Sequence, residues 1–161
     1  MTKPSSDTIF ETIEKERGGV AEIHKAFFDF PEGVRAHYQF YKEIMLSDNL
    51  PLKRAEREFL AVKTSEANAC PYCISHHEAT LQNFSTDGFV GKRKDALESL
   101  AAKLTKEPWK AQPLLSMFAE AGFSPAEWQH AVMIVSYFNF ANRCAHAMSL
   151  EIENDFEKTC R

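Results

Sequence analysis

The sequence predicts an all-α protein on two observations. Strand signals are few, because no segment alternates apolar and polar residues over a sustained length, no Asn-Gly pair marks a hairpin, and β-branched residues do not cluster. Apolar residues recur instead at offsets of three and four, the spacing of one helix face, and glycines and prolines divide the chain into segments of helical length. No repeat, low-complexity tract or linker divides the 161 residues, so we expect one domain over 1–161.

Two helices are predicted in the first third of the chain. Residues 1–8 are expected to form a loose start, followed by a short helix over 9–17 that ends at Gly18. Pro31 is expected to open the second helix, because the N–H that proline lacks is not needed in a first turn. This helix ends near Pro51. Its apolar residues at helical spacing are Val34, Tyr38, Tyr41 and Met45.

The middle of the chain is predicted to hold the cysteine-containing helix between two others. A third helix covers 52–67, and the cysteine-containing helix begins near Cys70 or Pro71 and continues to about residue 84. Thr86-Asp87-Gly88 is a break, and the next helix covers 92–104.

The last third is predicted to contain one long helix. A connector rich in proline precedes a helix over 114–121, which Gly122 ends. Ser124 and Glu127 have the spacing of a capping box, and the helix that they open extends to about residue 148. A short final helix is expected over 151–158.

Composition excludes several classes of protein. The formal net charge of −4 and the lack of a basic block indicate no nucleic-acid partner and no binding to an anionic membrane. The N-terminal residues lack the apolar core of a signal peptide, and the longest apolar-rich stretch, 131–138, is too short to cross a membrane and predicts a buried helix. We therefore expect a cytoplasmic protein, where a close cysteine pair is usually redox-active or metal-binding. Cys144 is expected to be a small core residue and Cys160 a tail residue.

Cys70, Cys73 and His77 share one short segment, at offsets of three and four. At roughly 100° per residue they fall within an arc of about 60° on one helix face. Helical residues three apart have Cβ atoms about 5–6 Å apart, so the two cysteines can form and open a disulfide without large backbone movement. A helix start lowers the pKa of a thiol, and His77 lies one turn beyond Cys73, where it can exchange a proton with it. His76 points about 100° away and is expected to be a surface or packing residue.

The residues alone leave two other interpretations open. Cys70, Cys73 and either His76 or His77 could supply three zinc ligands, but no second CxxC or HxxxH unit completes such a site. Glu58 or a distant histidine would have to do so. The thiols could also simply pack in a core. A thioredoxin-like CxxC site expects a βαβ context, which this sequence lacks, so a redox site here requires a helical scaffold.

With Glu58 included, this segment resembles the core motif of the AhpD-like alkylhydroperoxidases, within the carboxymuconolactone decarboxylase superfamily. That motif is a glutamate, eleven intervening residues, CxxC, three residues and a histidine. Glu58, Cys70, Cys73 and His77 match every spacing. The similarity of helix order extends from about residue 30 to 150, which leaves 1–30 as a peripheral N-terminal extension.

The resemblance implies a peroxidase of antioxidant defence that reduces organic hydroperoxides or hydrogen peroxide. Cys73 would be the peroxidatic thiol, Cys70 would resolve its sulfenic acid into a disulfide, and Glu58 and His77 would form a proton relay. No bound cofactor is expected, because an external dithiol or protein reductant restores the thiols, and a homo-oligomer (trimer or hexamer) is expected. Tyr72 stands where some AhpD proteins carry a histidine, so a second base beside Cys70 is not expected. The decarboxylases that name the superfamily typically lack the cysteine pair, which disfavours lactone decarboxylation.

Helix geometry independently supports the pairing of Glu58 with His77. A very short turn joins 52–67 to 70–84, so these helices should be antiparallel neighbours on which the two side chains reach similar heights. Spacing alone does not choose Glu58 over Glu56, whereas the family pattern does. Two rival functions are a general dithiol–disulfide oxidoreductase or redox sensor, and a zinc-stabilised interaction module.

Overall fold

Eight α-helices make up most of residues 5–86 and 89–160, which are the residues that the computed structural model describes. No strand occurs in these two ranges, so the all-α prediction is confirmed. None of the helices in this part of the chain is long and apolar enough to cross a bilayer. The helices are α1 (Ser6–Arg17), α2 (Glu22–Lys25), α3 (Pro31–Tyr41), α4 (Arg54–Ala67), α5 (Pro71–Leu81), α6 (Lys92–Lys106), α7 (Leu114–Glu120) and α8 (Pro125–Ala147). A π-helical turn (Lys42–Leu46) continues α3, and 3₁₀ turns lie at Pro108–Lys110 and Phe156–Thr159.

The main apolar core lies between α4, α6 and α8. A second, smaller core lies between α1 and α3, where Ile9 and Ile13 pack against Val34 and Tyr38. Burial of these apolar faces supplies most of the free energy that holds such helices in place. Fully buried members of the main core include Leu60 and Ala61 of α4, Leu97 and Leu100 of α6, and Ile134 and Val135 of α8.

Several predicted helix ends are confirmed by their capping geometry. Gly18 has φ 79°, and its N–H donates to the Glu14 carbonyl at 2.7 Å, which ends α1. The capping box of α8 is present, because the Glu127 N–H donates to the Ser124 hydroxyl (3.2 Å) and the Ser124 N–H donates to the Glu127 carboxylate (2.7 Å). Pro31 and Pro71 open α3 and α5 as expected.

Other boundaries differ from the prediction, chiefly near the two ends of the chain. The loose start expected over 1–8 is wrong for residues 6–8, since α1 already begins at Ser6, and α2 was not predicted at all. The helix expected over 151–158 is wrong, because only the 3₁₀ turn Phe156–Thr159 forms there. The first N–H of α2, that of Glu22, donates to the Glu153 carboxylate at 2.7 Å, a contact between distant segments that local patterns do not reveal. The predicted break at Thr86-Asp87-Gly88 includes Asp87 and Gly88, which lie outside the described residues.

The π-helical turn changes which way α3 faces. The Ser47 N–H donates to the Lys42 carbonyl at 3.0 Å, a bond across five residues instead of four. The additional residue offsets the positions after the turn by about 100° from those of an unbroken α-helix. Tyr38 packs in the small core, whereas Tyr41 packs against the main core and Met45 lies within it.

Candidate functional site

The turn between α4 and α5 fixes the position of the cysteine pair. The Cys70 N–H donates to the Ser65 carbonyl at 3.0 Å, and Ala69 takes a left-handed conformation (φ 51°), which costs a residue with a Cβ about 1–2 kcal/mol. The Asn68 side-chain amide donates to the side chains of Asn139 (3.1 Å) and Asn142 (2.9 Å) on α8. The turn is therefore held on α8, and Cys70 becomes the residue that caps α5.

The structure brings the two predicted sulfurs into contact. Cys70 and Cys73 are free thiols, both buried, with 3.0 Å between their Sγ atoms. The hydrogen bond of the Cys73 thiol, and then the Cys73 backbone N–H, lower the pKa of Cys70 to about 6 despite its burial. The same bond, together with burial, raises the pKa of Cys73. The lowering expected at a helix start therefore falls on Cys70, chiefly through the Cys73 thiol and to a smaller extent through the Cys73 backbone N–H.

The buried Glu58 pairs with the partly buried His77. Glu58 is 0% exposed, and its Oε2 lies 2.6 Å from Nδ1 of His77, while its Oε1 accepts from Nε of Arg54 at 2.7 Å. Burial raises the pKa of the Glu58 carboxyl, but the charges and hydrogen bonds of His77 and Arg54 outweigh it and leave that pKa below its usual value. A carboxylate that accepts from Nδ1–H fixes the imidazole tautomer and leaves Nε2 for proton exchange.

The alternative glutamate, Glu56, serves the fold instead. Its Oε2 accepts the Lys53 N–H at 3.0 Å, and its Oε1 pairs with the Arg93 guanidinium at 2.5 Å. The side chain therefore caps α4 and ties it to α6. The geometry favours Glu58, as the family pattern does.

Cys73 and His77 both line a cavity of about 80 Å³ that is partly open to solvent, and Cys70 is not among the residues that line it. Rings from α3 and α8 form its walls: Tyr41 packs 6.3 Å from the His77 ring, and Phe138 packs 4.6 Å from it, edge to face. The thiol with the lowered pKa and the thiol that faces the cavity are therefore different members of the pair.

Sequence reasoning missed a second ion pair on α5. His76 is buried, and its Nε2 lies 2.9 Å from Oε2 of Glu153. Burial lowers the pKa of His76, but the Cys160 thiol and the Glu153 carboxylate outweigh it and raise that pKa to about 9. Burial likewise raises the pKa of Glu153, but the His76 bond and the Glu22 N–H lower it to about 2. Tyr72, which stands at the position of the absent histidine, donates to Glu153 at 3.2 Å. No local pattern points to Glu153, which lies 77 positions from His76.

The expectations for the other two cysteines were also wrong. Cys144 is half-buried on α8, not a core residue. Cys160 is buried and lines the same cavity as Cys73, and its thiol donates to the His76 carbonyl at 3.3 Å. Within residues 5–86 and 89–160, no three side chains of His, Cys, Asp or Glu are grouped so that they could hold a metal ion.

No protein-family model matches the sequence, and no curated protein sequence matches it. Solved structures do match the fold. An uncharacterised peroxidase-related protein with an alkylhydroperoxidase AhpD core, from Ralstonia eutropha JMP134, superimposes with a TM-score of 0.83 and 22% identity over 97% of this chain and 89% of that chain. A peroxidase-related protein from Silicibacter sp. TM1040 gives a TM-score of 0.82 and 23% identity over 99% and 92% of the two chains. The debrominase Bmp8 gives 0.74 and 19% identity over 96% and 89%. The chain therefore has the AhpD-like fold.

Proposed function

We propose that the protein is a thiol peroxidase that reduces organic hydroperoxides or hydrogen peroxide through Cys70 and Cys73. The observation that carries this proposal is the contact of the two sulfurs at 3.0 Å, with Cys73 facing a cavity that it shares with His77. The carboxylate of the buried Glu58 orients the His77 ring through its contact with Nδ1. A dithiol and a positioned base are the groups that two-electron reduction of a peroxide requires.

A proton shared between the two sulfurs explains how Cys73 can be the nucleophile although Cys70 has the lower pKa. With one proton lost, the charge rests mainly on Cys70, which has the lower pKa. Transfer of the remaining proton from Cys73 to Cys70 across 3.0 Å places the charge on the sulfur that lines the cavity. No further proton has to leave the pair for Cys73 to become the nucleophile.

The reaction then proceeds in two steps. The Cys73 thiolate attacks one peroxide oxygen, the O–O bond breaks, and the leaving alkoxide takes a proton from protonated His77, whose positive charge Glu58 stabilises. Sulfur is oxidised to sulfenic acid and the peroxide is reduced to an alcohol. The Cys70 thiol next attacks the Cys73 sulfur, the S–O bond breaks, and the Cys70 proton leaves with the hydroxide as water.

An external dithiol completes the cycle by thiol–disulfide exchange, so no bound cofactor is needed. The proposal includes the reducing cytoplasm as the compartment and a homo-oligomer, a trimer or hexamer, as the assembly. Exposed aromatic side chains support an assembly, since Phe40 (36% exposed) and Phe140 (50% exposed) both pack against Tyr137 near the cavity.

The test is hydroperoxide consumption driven by dithiothreitol. Cys73→Ser should abolish turnover. Cys70→Ser, treated with peroxide in the absence of dithiothreitol, should accumulate the Cys73 sulfenic acid because its resolving thiol is missing. Cys144→Ser is the matched control and should leave turnover unchanged. After one equivalent of peroxide, mass spectrometry should show a Cys70–Cys73 bridge. Retained turnover in Cys73→Ser, or a bridge between other cysteines, would refute the proposal.

Two further measurements on the purified protein distinguish the rival functions from a peroxidase. Turnover on protein disulfides without peroxide consumption would favour a general dithiol–disulfide oxidoreductase or redox sensor. Near-stoichiometric zinc in the purified protein would favour a zinc-stabilised interaction module.

A second candidate reaction is reductive removal of bromine from a small aromatic compound, which the aromatic cavity walls favour. A cysteine-to-alanine variant of the debrominase Bmp8, which has the same fold, is known in complex with 2,3,4-tribromopyrrole. In that reaction two thiols would become a disulfide while the carbon–bromine bond is replaced by a carbon–hydrogen bond and bromide leaves. Bromide release from tribromopyrrole, measured beside peroxide consumption, decides between the two.

A further inference from the structure

Two histidines line the same cavity as Cys73 and have no role in the proposed reaction. His24 of α2 and His37 of α3 are each 6% exposed, and their rings lie 5.0 Å apart. Nδ1 of His24 and Nε2 of His37 are buried and have no hydrogen-bond partner. Buried imidazole nitrogens normally find a partner, so two such atoms together in one cavity point to a group that the chain does not supply.

His130, another buried histidine, provides a comparison because both of its ring nitrogens have partners within the protein. His130 is 7% exposed, comparable to His24 and His37. Its Nδ1 accepts the Leu52 N–H at 3.2 Å, and its Nε2 lies 2.8 Å from the Ile44 carbonyl. Both of its nitrogens therefore have hydrogen-bond partners within the protein, whereas Nδ1 of His24 and Nε2 of His37 have none.

The charge state of the pair limits the kind of ligand. Burial lowers the pKa of His24 to about 3 and that of His37 to about 4, so both rings are neutral near pH 7. A neutral imidazole has one N–H donor and one bare acceptor nitrogen. When one ring presents its N–H and the other its bare nitrogen, the two open nitrogens offer one donor and one acceptor, which is the complement of a hydroxyl group. Two presented N–H groups would instead suit a carboxylate, and two bare nitrogens would suit an ammonium.

Aromatic rings around the two histidines favour a ligand that is apolar apart from its hydroxyl group. Tyr137 packs 5.6 Å from the His37 ring, and Tyr38 packs 5.5 Å from the His24 ring with its own hydroxyl donating to Glu16 at 2.6 Å. Arg17 also lines the cavity, with its guanidinium donating to the Thr159 carbonyl. Its positive charge makes an anionic ligand the alternative that an experiment must exclude.

We propose that His24 and His37 form a hydroxyl-binding subsite in the Cys73 cavity, which takes a small, uncharged, otherwise apolar molecule. In one respect the inference rests on the proposed function: the same molecule would present its peroxide group to Cys73. Binding itself needs no turnover, so an unreactive probe can test the subsite independently.

The experiment is NMR of the protein labelled with ¹⁵N at histidine, titrated with benzyl alcohol, toluene or benzoate. Benzyl alcohol should shift the imidazole signals of His24 and His37 and leave those of His130 unchanged. Toluene should bind about 10-fold more weakly, because it cannot satisfy the nitrogens. His24→Phe and His37→Phe, which keep the ring volume, should bind toluene and benzyl alcohol equally well.

Three results would overturn the subsite: tighter binding of benzoate than of benzyl alcohol, equal binding of toluene and benzyl alcohol by the unaltered protein, and no histidine shift with any probe. The last result would mean that water alone occupies the pair. Benzyl alcohol binding is measured on the unaltered protein without any peroxide. Failure of the peroxidase assay is therefore distinguishable from failure of the subsite.

Discussion

Removing the buried carboxylate of Glu58 should destabilise the protein strongly. Glu58 is fully buried, and its partners Arg54 and His77 are only 15% and 12% exposed at their side chains. Glu58→Ala removes the carboxylate that pairs with His77 and with Arg54 in a poorly hydrated site, and breaking such a buried pair typically costs about 3–5 kcal/mol in the free energy of unfolding. Glu58→Gln keeps an acceptor for Arg54 and should cost about 1–3 kcal/mol. The control Glu66→Gln, at a half-exposed glutamate paired with Lys63, should cost about 0–1 kcal/mol.

The pH dependence of this penalty tests its electrostatic origin. The folded-state pKa of Glu58 lies below its ordinary value of 4.5. The carboxylate therefore contributes its full stability above pH 4.5 and loses it as the pH falls through the lower folded pKa. Urea unfolding should show the largest difference between the unaltered protein and Glu58→Ala at neutral pH, and the difference should shrink in acid. A penalty below about 1 kcal/mol at pH 7, or one that does not change with pH, would contradict the reasoning.

The Gln variant separates stability from chemistry. Glu58→Gln should keep its helical circular dichroism at 25 °C yet react with peroxide about 10²-fold more slowly, since His77 loses the negative charge that stabilises its protonated form. The rate is measured as sulfenic acid formation in a single turnover. An unchanged rate in a folded variant would remove Glu58 and His77 from the proposed proton relay.

Further predictions concern the thiols, the second ion pair and one helix cap. Alkylation of the cysteine pair by iodoacetamide should be half-maximal near pH 6, and the label should be found mainly on Cys73, which lines the cavity. Cys144, whose pKa is raised by burial, should react only at higher pH. Equal pH profiles for the pair and for Cys144 would argue against a thiolate shared by Cys70 and Cys73. His76 has a folded pKa of about 9 and Glu153 one of about 2, so their pairing stabilises the protein fully between pH 4.5 and pH 6.5 and is lost as the pH rises through about 9. Glu153→Gln should flatten the alkaline part of the profile of urea midpoint against pH. Ser124→Ala should lower the free energy of unfolding by about 1 kcal/mol by removing the α8 cap, and a change below about 0.3 kcal/mol would argue against the capping box.

The parts of the site that sequence could predict are those within one helix or one hairpin. Cys73 and His77 line the same cavity because helix geometry places residues four apart on one face of α5, and Cys70, which precedes α5, has its sulfur against that of Cys73. Glu58 required the additional inference that α4 and α5 are antiparallel neighbours. The all-α class followed from periodicity, and the cap of α8 from two residues three apart.

The parts that sequence could not predict depend on contacts between distant segments. Glu153 reaches His76 across 77 positions, and its bond to the Glu22 N–H helps to begin a helix that local propensity did not indicate. The open nitrogens of His24 and His37 become informative only when burial is known. The difference in pKa between Cys70 and Cys73 also depends on the surroundings of each sulfur, which no spacing specifies.

Because of the π-helical turn, the number of residues between α3 and α4 should affect which ligand the cavity binds. Deleting one residue within Lys42–Leu46 would restore ordinary α-helical pairing and rotate the preceding turns by about 100° relative to α8. His37 and Tyr38 would then no longer point into the cavity, although each would still be present in the sequence. Two chains with identical aromatic residues but lengths differing by one in this segment should therefore bind different molecules, a distinction that counting matched residues in an alignment does not reveal.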